Sequence, residues 1–347
     1  MVKLEFTKSP IDAAEGHQQC IRFAEEVEKL GYGGCWYPHM VIRDVPRIDT
    51  LTLMAAAAAR TEKIRLGTSV LQVPLYPPVM LAQSLMTIDQ ISNGRLVLGV
   101  GIGWVPNEFH NVAVPFKERA GRTDEAIEIM KRLWTEEEVT FKGKYYDIRE
   151  ARMMAKPVQK PYPKIVIGGG FHRGARGNPD PAELRRTNLA EGVLRRIARF
   201  GDGWFPAHFT PETAAEYLPS AMERIRLMGM EYGRKITEEE FEIVLYAGGW
   251  VCVANSKEEA IEEARQTYRI HEASGYAQTM GNPSLETLTK DGALGTRDEV
   301  AEYVQSWVDV GKEVPALKTV VLLLGSLRSI EQLNRFHSDV RPLLRME

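Results

Sequence analysis

Short, almost wholly apolar runs alternate along this chain with longer stretches in which apolar residues recur at helical spacing. The runs at residues 2–6, 33–37, 64–71, 96–100, 164–167, 203–205, 241–253 and 318–324 predict strands. Apolarity this continuous suits strands covered on both faces. Residues 17–30 place Cys20, Phe23, Ala24, Val27 and Leu30 on one helical stripe, and Gly31 is a natural stop. Further helices are predicted at 50–60, where the run MAAAAAR packs closely on a sheet, and at 79–91. Another begins near Lys117, with Ile127, Met130, Leu133 and Trp134 on one face. Helices also follow at 188–200, 211–228, 257–272, 297–310 and 329–344. Asn188 with Glu191, and Thr296 with Glu299, have capping-box spacing.

Strand and helix alternate almost without exception, which is the signature of parallel βα units. Residues 139–149, VTFKGKYYDIR, break the rule by alternating around Lys142-Gly143, and predict a hairpin excursion. About eight βα units in one chain, without repeats or low-complexity linkers, predict a single (β/α)8 TIM barrel spanning residues 1–347. The other reading is an open doubly wound sheet, which usually stops at fewer strands. Two stretches depart from the alternation and read as insertions, 171–187 after the fifth strand and 273–294 after the seventh.

A barrel of this kind works at the C-terminal ends of its strands. Those ends carry His39, Ser69 to Leu71, Gly101 to Glu108, Gly168 to Gly170, Phe205 to His208, Trp250 and Gly325. His39 is either a proton-transfer group, since imidazole titrates near neutrality, or a structural histidine bonded to a neighbouring loop. Gly168, Gly169 and Gly170 expose backbone N–H groups suited to an anion. Arg173, Arg176, Arg185 and Arg186 follow in the first insertion. That segment is either a lid whose arginines meet an acidic cofactor tail or a solvated surface loop. The second insertion either covers the pocket or serves a subunit interface. Trp36, Tyr76, Trp104 and Trp250 suggest an apolar or aromatic substrate pocket.

Composition removes several function classes. Net charge is −3, so nothing points to nucleic acid or an anionic membrane surface. Cys20, Cys35 and Cys252 lack metal-ligand or disulfide spacing, and carboxylates at strand ends are too few for a metal site. The start, MVKLEFTKSP, has no apolar core of signal-peptide length, and no window approaches a membrane span. A cytoplasmic protein is expected.

The stretch from Gly99 to Trp134 adds a specific signal: G-x-G-x-G-W-x-x-x-E-F, then V-P-F-x-x-R-x-x-R-x-D-E and a closing L-W. Gly99, Gly101 and Gly103 lack the spacing of a dinucleotide fingerprint. The whole pattern resembles instead the bacterial-luciferase-like oxidoreductases, whose members use FMN or the deazaflavin coenzyme F420. Gly201-Asp202-Gly203-Trp204 and Gly295-Thr296-Arg297-Asp298-Glu299 match the same family, as structural anchors. The resemblance implies a non-proline cis peptide at Ser69-Val70, pressed against the ring of the cofactor. It implies cofactor contacts from Gly101 and Asn107, and a catalytic role for His39 in the ending Trp36-Tyr37-Pro38-His39. Pro38 stands where many deazaflavin members have an acidic residue. Trp104 stands where the similar sugar-phosphate dehydrogenases have a catalytic carboxylate, which argues against that activity. Glu108-Phe109 and the Arg119, Arg122 and Asp124 cluster read as a capped, salt-bridged helix start.

The resemblance implies F420-dependent hydride transfer to or from a small organic substrate. The alternatives are an FMN-dependent monooxygenase served by a separate flavin reductase, and a non-catalytic flavin-binding protein. A homodimer is possible, as in many relatives.

Overall fold

The computed structural model describes residues 2–7, 16–41, 48–170, 191–206, 209–273, 285 and 292–346. The strands in chain order are β1 (Lys3–Thr7), β2 (Gly34–Tyr37), β3 (Arg65–Thr68), β4 (Leu71–Gln72), β5 (Leu96–Gly101), β6 (Val139–Lys142), β7 (Asp147–Ala151), β8 (Lys164–Gly168), β9 (Gly203–Phe205), β10 (Glu242–Val253), β11 (Ala293–Gly295) and β12 (Leu317–Leu324). β1, β2, β3, β5, β8, β9, β10 and β12 pair in parallel in that order, and β12 returns to β1. The barrel is closed, as the alternating pattern predicts. The two short strands β4 and β11 lie off this ring, on β5 and β10 respectively. β6 and β7 form a separate antiparallel hairpin, also as predicted.

Side chains alternate across each barrel strand. Leu98 and Val100 of β5 and Ile165 and Ile167 of β8 join the large apolar layer between barrel and helices. Trp36, Val97, Val166, Phe205, Val244 and Val321 form a second cluster in the barrel interior. Trp36 needs space there, and Gly67 on the neighbouring strand provides it, because a Cβ at 67 would overlap the indole.

Below this cluster the N-terminal end of the barrel is polar. Glu5 accepts from Trp36 Nε1 at 2.7 Å and from Arg65 Nη2 at 2.9 Å. Arg65 Nη1 and Lys164 Nζ both reach Glu242, at 3.0 and 2.6 Å, and Thr319 donates to the same carboxylate at 2.7 Å. Burial pushes the Glu242 carboxyl up, but Arg65 and Lys164 outweigh it and hold the group at about 2. For Glu5, with no exposed surface, burial wins over Arg65 and Trp36 and the shift is upward. The neighbouring positive charges keep Glu242 ionised at neutral pH.

Several expectations hold at residue level. Helix Thr50–Arg60 has the predicted bounds, and Thr296 and Glu299 close a capping box on helix Arg297–Glu313. Helix Arg119–Thr135 is salt-bridged, through Arg122–Glu118 at 2.7 Å and an Asp124–Arg196 pair, but it carries no side-chain cap. Nearly all of both insertions, and Asn188, lie outside the described residues. Among the described residues no helix is long and apolar enough to cross a membrane.

Candidate active site

The predicted third strand is not continuous. β3 ends at Thr68, the Ser69-Val70 peptide is cis, and the chain resumes as β4 against Val100 and Gly101 of β5. Thr68 Oγ1 donates to the Gly99 carbonyl at 2.7 Å, and Ser69 N donates to the Tyr37 carbonyl at 2.9 Å. Both bonds fix the edges of this bulge. Its Val70 side chain lies against Gly99, Gly101 and Gly168. A Cβ on Gly101 would come within 2.6 Å of Val70 Cγ2, and one on Gly168 within 3.0 Å of both Val70 methyls. These glycines are spacers for the bulge, a use their spacing in the sequence did not announce.

Of the glycines read as an anion cradle, Gly169 is already committed. Its N–H donates to the Phe205 carbonyl at 3.3 Å, and its own carbonyl accepts the Trp204 indole at 2.6 Å. Gly169 and Gly170 adopt φ of 106° and 154°, a region that favours glycine. The expected triple cradle therefore divides: Gly168 accommodates Val70, and Gly169 joins β8 to β9.

His39 sits just beyond β2 and is 6% exposed. Its Nε2 lies 2.8 Å from Tyr76 Oη, and its Nδ1 accepts the Gln72 backbone N–H at 3.4 Å. Burial is the main influence on the ring and holds it down at about 4, with the Glu108 and Asp49 carboxylates opposing. The imidazole is neutral at pH 7. An N–H pointing at Nδ1 makes that nitrogen the acceptor, so Nε2 carries the proton and donates to Tyr76. Burial also raises the Tyr76 hydroxyl above its usual range, helped by Asp49, so the phenol stays protonated.

Around this pair is a ring of contacts that sequence reasoning missed. Gln72 Nε2 donates to Glu108 Oε2 at 3.1 Å and to the His39 carbonyl at 3.3 Å. Glu108, with no exposed surface, also accepts the Val41 N–H at 2.9 Å. It thereby ties the segment after β2 to helix Pro106–Asn111. The buried Gln72 Oε1 has no partner among the described residues. Nothing in the run LQVP signals that glutamine, and Glu108 was legible as a strand-end residue and a helix start but not as the partner of Gln72 and Val41.

The predicted aromatic pocket disperses. Tyr76 and Trp104 are half-buried near the mouth. Trp36 faces the interior cluster and Glu5, away from the mouth. Trp250 is buried against Leu323, Leu294 and Gly325. Asn107 is exposed, and its side-chain oxygen accepts from Asn111 Nδ2 at 3.1 Å. Arg173 lies outside the described residues, as does His208.

A closed parallel barrel, a cis bulge at the mouth of its third strand and a histidine at the end of its second are what the resemblance to luciferase-like oxidoreductases implied. The chain belongs to the luciferase-like monooxygenase family, whose profile matches residues 3–176. It is 28% identical over 339 residues to the F420-dependent glucose-6-phosphate dehydrogenase of Kineococcus radiotolerans, covering 93% of this chain and 92% of that one. It is 26% identical over 325 residues to the FMNH(2)-dependent dimethylsulfone monooxygenase of Pseudomonas putida, covering 86% and 78%. Its fold superposes on an F420-dependent secondary alcohol dehydrogenase in complex with an F420-acetone adduct, with a TM-score of 0.76 and 17% identity over 99% of this chain and 100% of that one. Relatives of both cofactor types are thus present.

Proposed function

We propose that this protein is a coenzyme F420-dependent oxidoreductase exchanging hydride with a small organic substrate at the C-terminal mouth of the barrel. The observation that carries this reading is the floor of the mouth. Val70 is held up by glycines at 99, 101 and 168, and Ser69, Val70 and Ile102 remain partly exposed above them. The glycines keep side chains off the neighbouring strands, so the floor suits a flat heteroaromatic ring. The neutral His39–Tyr76 pair provides proton chemistry beside it. The long F420-dependent relative supports the deazaflavin over FMN.

In this reading Ser69, Val70, Gly101 and Gly168 hold the ring face, and Gly170 offers backbone toward the cofactor's acidic tail. The deazaflavin, when bound, supplies a carbon centre for hydride exchange. The chain supplies position, a water-poor wall from half-buried Trp104, and a protonated hydroxyl fixed by His39. Trp104 in place of the carboxylate that similar sugar-phosphate dehydrogenases carry supports a substrate other than a sugar phosphate.

Anaerobic turnover with F420 tests the proposal. Alcohol- or ketone-dependent change in F420 redox state, with no oxygen requirement, is expected. Oxygen consumption with reduced FMN and a separate reductase, and none with F420, would overturn it in favour of a monooxygenase. Stable flavin binding without any turnover would favour a non-catalytic binding protein.

A further inference from the structure

The histidine that the sequence marks for proton transfer is enclosed by its own protein. Nδ1 is taken by the Gln72 N–H and Nε2 by Tyr76 Oη. The ring is nearly buried, and the charged groups facing it are Glu108 and Asp49. Glu108 is engaged by Val41 and Gln72, and Asp49 caps helix Thr50–Arg60 through Thr52. A general base or acid must reach the reacting atom within hydrogen-bond distance. His39 has no ring nitrogen left for that.

Tyr76 differs. It is only half-buried, and it receives the Nε2–H of His39, which leaves its own O–H proton to point elsewhere. Among the described residues that hydroxyl has no second partner. A phenol held protonated and aimed by a neutral imidazole is a donor for an oxygen that gains negative charge.

We propose that the Tyr76 hydroxyl, rather than His39, meets the substrate, that the substrate reacts at a carbonyl or the corresponding alcohol, and that His39 is a positioning residue. This rests on the deazaflavin reading above. In the reducing direction the carbonyl carbon accepts an electron pair as hydride from the reduced deazaflavin. The C=O π pair moves to oxygen, and that oxygen takes the proton from Tyr76 Oη. The phenolate left behind keeps the hydrogen bond from His39 Nε2–H and regains a proton from water. Oxidation of the alcohol runs these transfers backward. His39 never changes its proton count.

Two measurements on the full chain test this. Nitrogen-15 NMR of histidine-labelled protein without cofactor reads the dyad directly. His39 should show one neutral tautomer protonated at Nε2 from pH 5 to 8, and Tyr76→Phe should shift the Nε2–H proton resonance without changing the tautomer. A ring protonated at Nδ1, or one titrating with ordinary histidine behaviour, would overturn the assignment. The second measurement is reduction of acetone and cyclohexanone by reduced F420. Tyr76→Phe should lower kcat by about 10²–10³-fold with KM little changed, the loss typical of a missing oxyanion donor. His39→Gln, whose amide N–H can replace Nε2–H, should stay within about tenfold of wild type, the worth of one altered hydrogen bond. Loss in His39→Gln as large as in Tyr76→Phe would return the proton-transfer role to His39. A protein that binds F420 yet reduces neither carbonyl compound overturns the carbonyl assignment. Failure to bind F420 sinks the functional reading itself, while the ring resonances still decide the dyad.

Discussion

The two ends of this barrel are built from the same strands and treat polar groups in opposite ways. At the N-terminal end, charges are paired until each is answered: Glu5 by Trp36 and Arg65, and Glu242 by Arg65, Lys164 and Thr319. At the C-terminal mouth the buried Glu108 carboxylate accepts from the Val41 N–H and the Gln72 amide, and the groups beside it are neutral or left open. His39 carries no charge at pH 7, Gln72 Oε1 has no partner among the described residues, and Tyr76 has a proton to give. A saturated ion network suits a closed end, because a buried charge without its partner is costly. An end that must receive a ligand keeps donors and acceptors in reserve and covers them with glycines rather than bulky side chains. In the proposed function, stability and chemistry fall at opposite ends of the barrel.

The largest expected effect comes from breaking the closed end. Arg65→Met leaves Glu5 and Glu242 facing each other without the guanidinium between them, and should cost about 3–5 kcal/mol in urea unfolding. Cofactor affinity of the protein that remains folded should not change. Equal losses at both ends would show that the division is not real.

A second effect, on the order of 3 kcal/mol for the His39 shift from 6.5 to about 4, belongs to the mouth and appears as pH dependence. The folded value is depressed, so the unfolded chain binds more protons between the two values. The stability is present above pH 6.5 and is lost as pH falls through about 4. Glu242 has the same sign at lower pH: its stability is present above the ordinary carboxyl value of 4.5 and is lost as pH falls through about 2. Unfolding measured against pH should show two separable declines, and His39→Gln should remove only the upper one. A single decline unaffected by that substitution would place the titrating group elsewhere.

The smallest effect lies on neither end. Thr296→Ala removes a capping box from the outer helix layer and should cost about 1 kcal/mol with no change in turnover. It calibrates the other two as effects of position rather than of mutation as such.

Much of this was legible in the sequence, for physical reasons. Barrel strands are covered on both faces, so their apolar runs are continuous, and helices on the outer ring keep a clean stripe. The cis bulge was legible only through the resemblance around LGTSVL, since the same letters read equally well as an unbroken strand. Trp36 shows the limit of periodicity. Cys35-Trp36-Tyr37 is apolar throughout, so alternation cannot say which residue faces inward, and the deciding partner, Glu5, comes from another strand. The roles of Gln72 and Glu108 escaped because their contacts join segments far apart in the chain, and the pattern that contains Glu108 says nothing of its partners.

The most direct test of the account is equilibrium binding of F420 and of FMN to the purified protein and to Gly101→Ala. A Cβ at 101 collides with Val70, so it should move the bulge while leaving the N-terminal network untouched. The account predicts tighter binding of F420 than of FMN by wild type, and about tenfold weaker F420 binding by the variant, roughly 1.4 kcal/mol. Preference for FMN, or F420 affinity indifferent to the substitution, would contradict it.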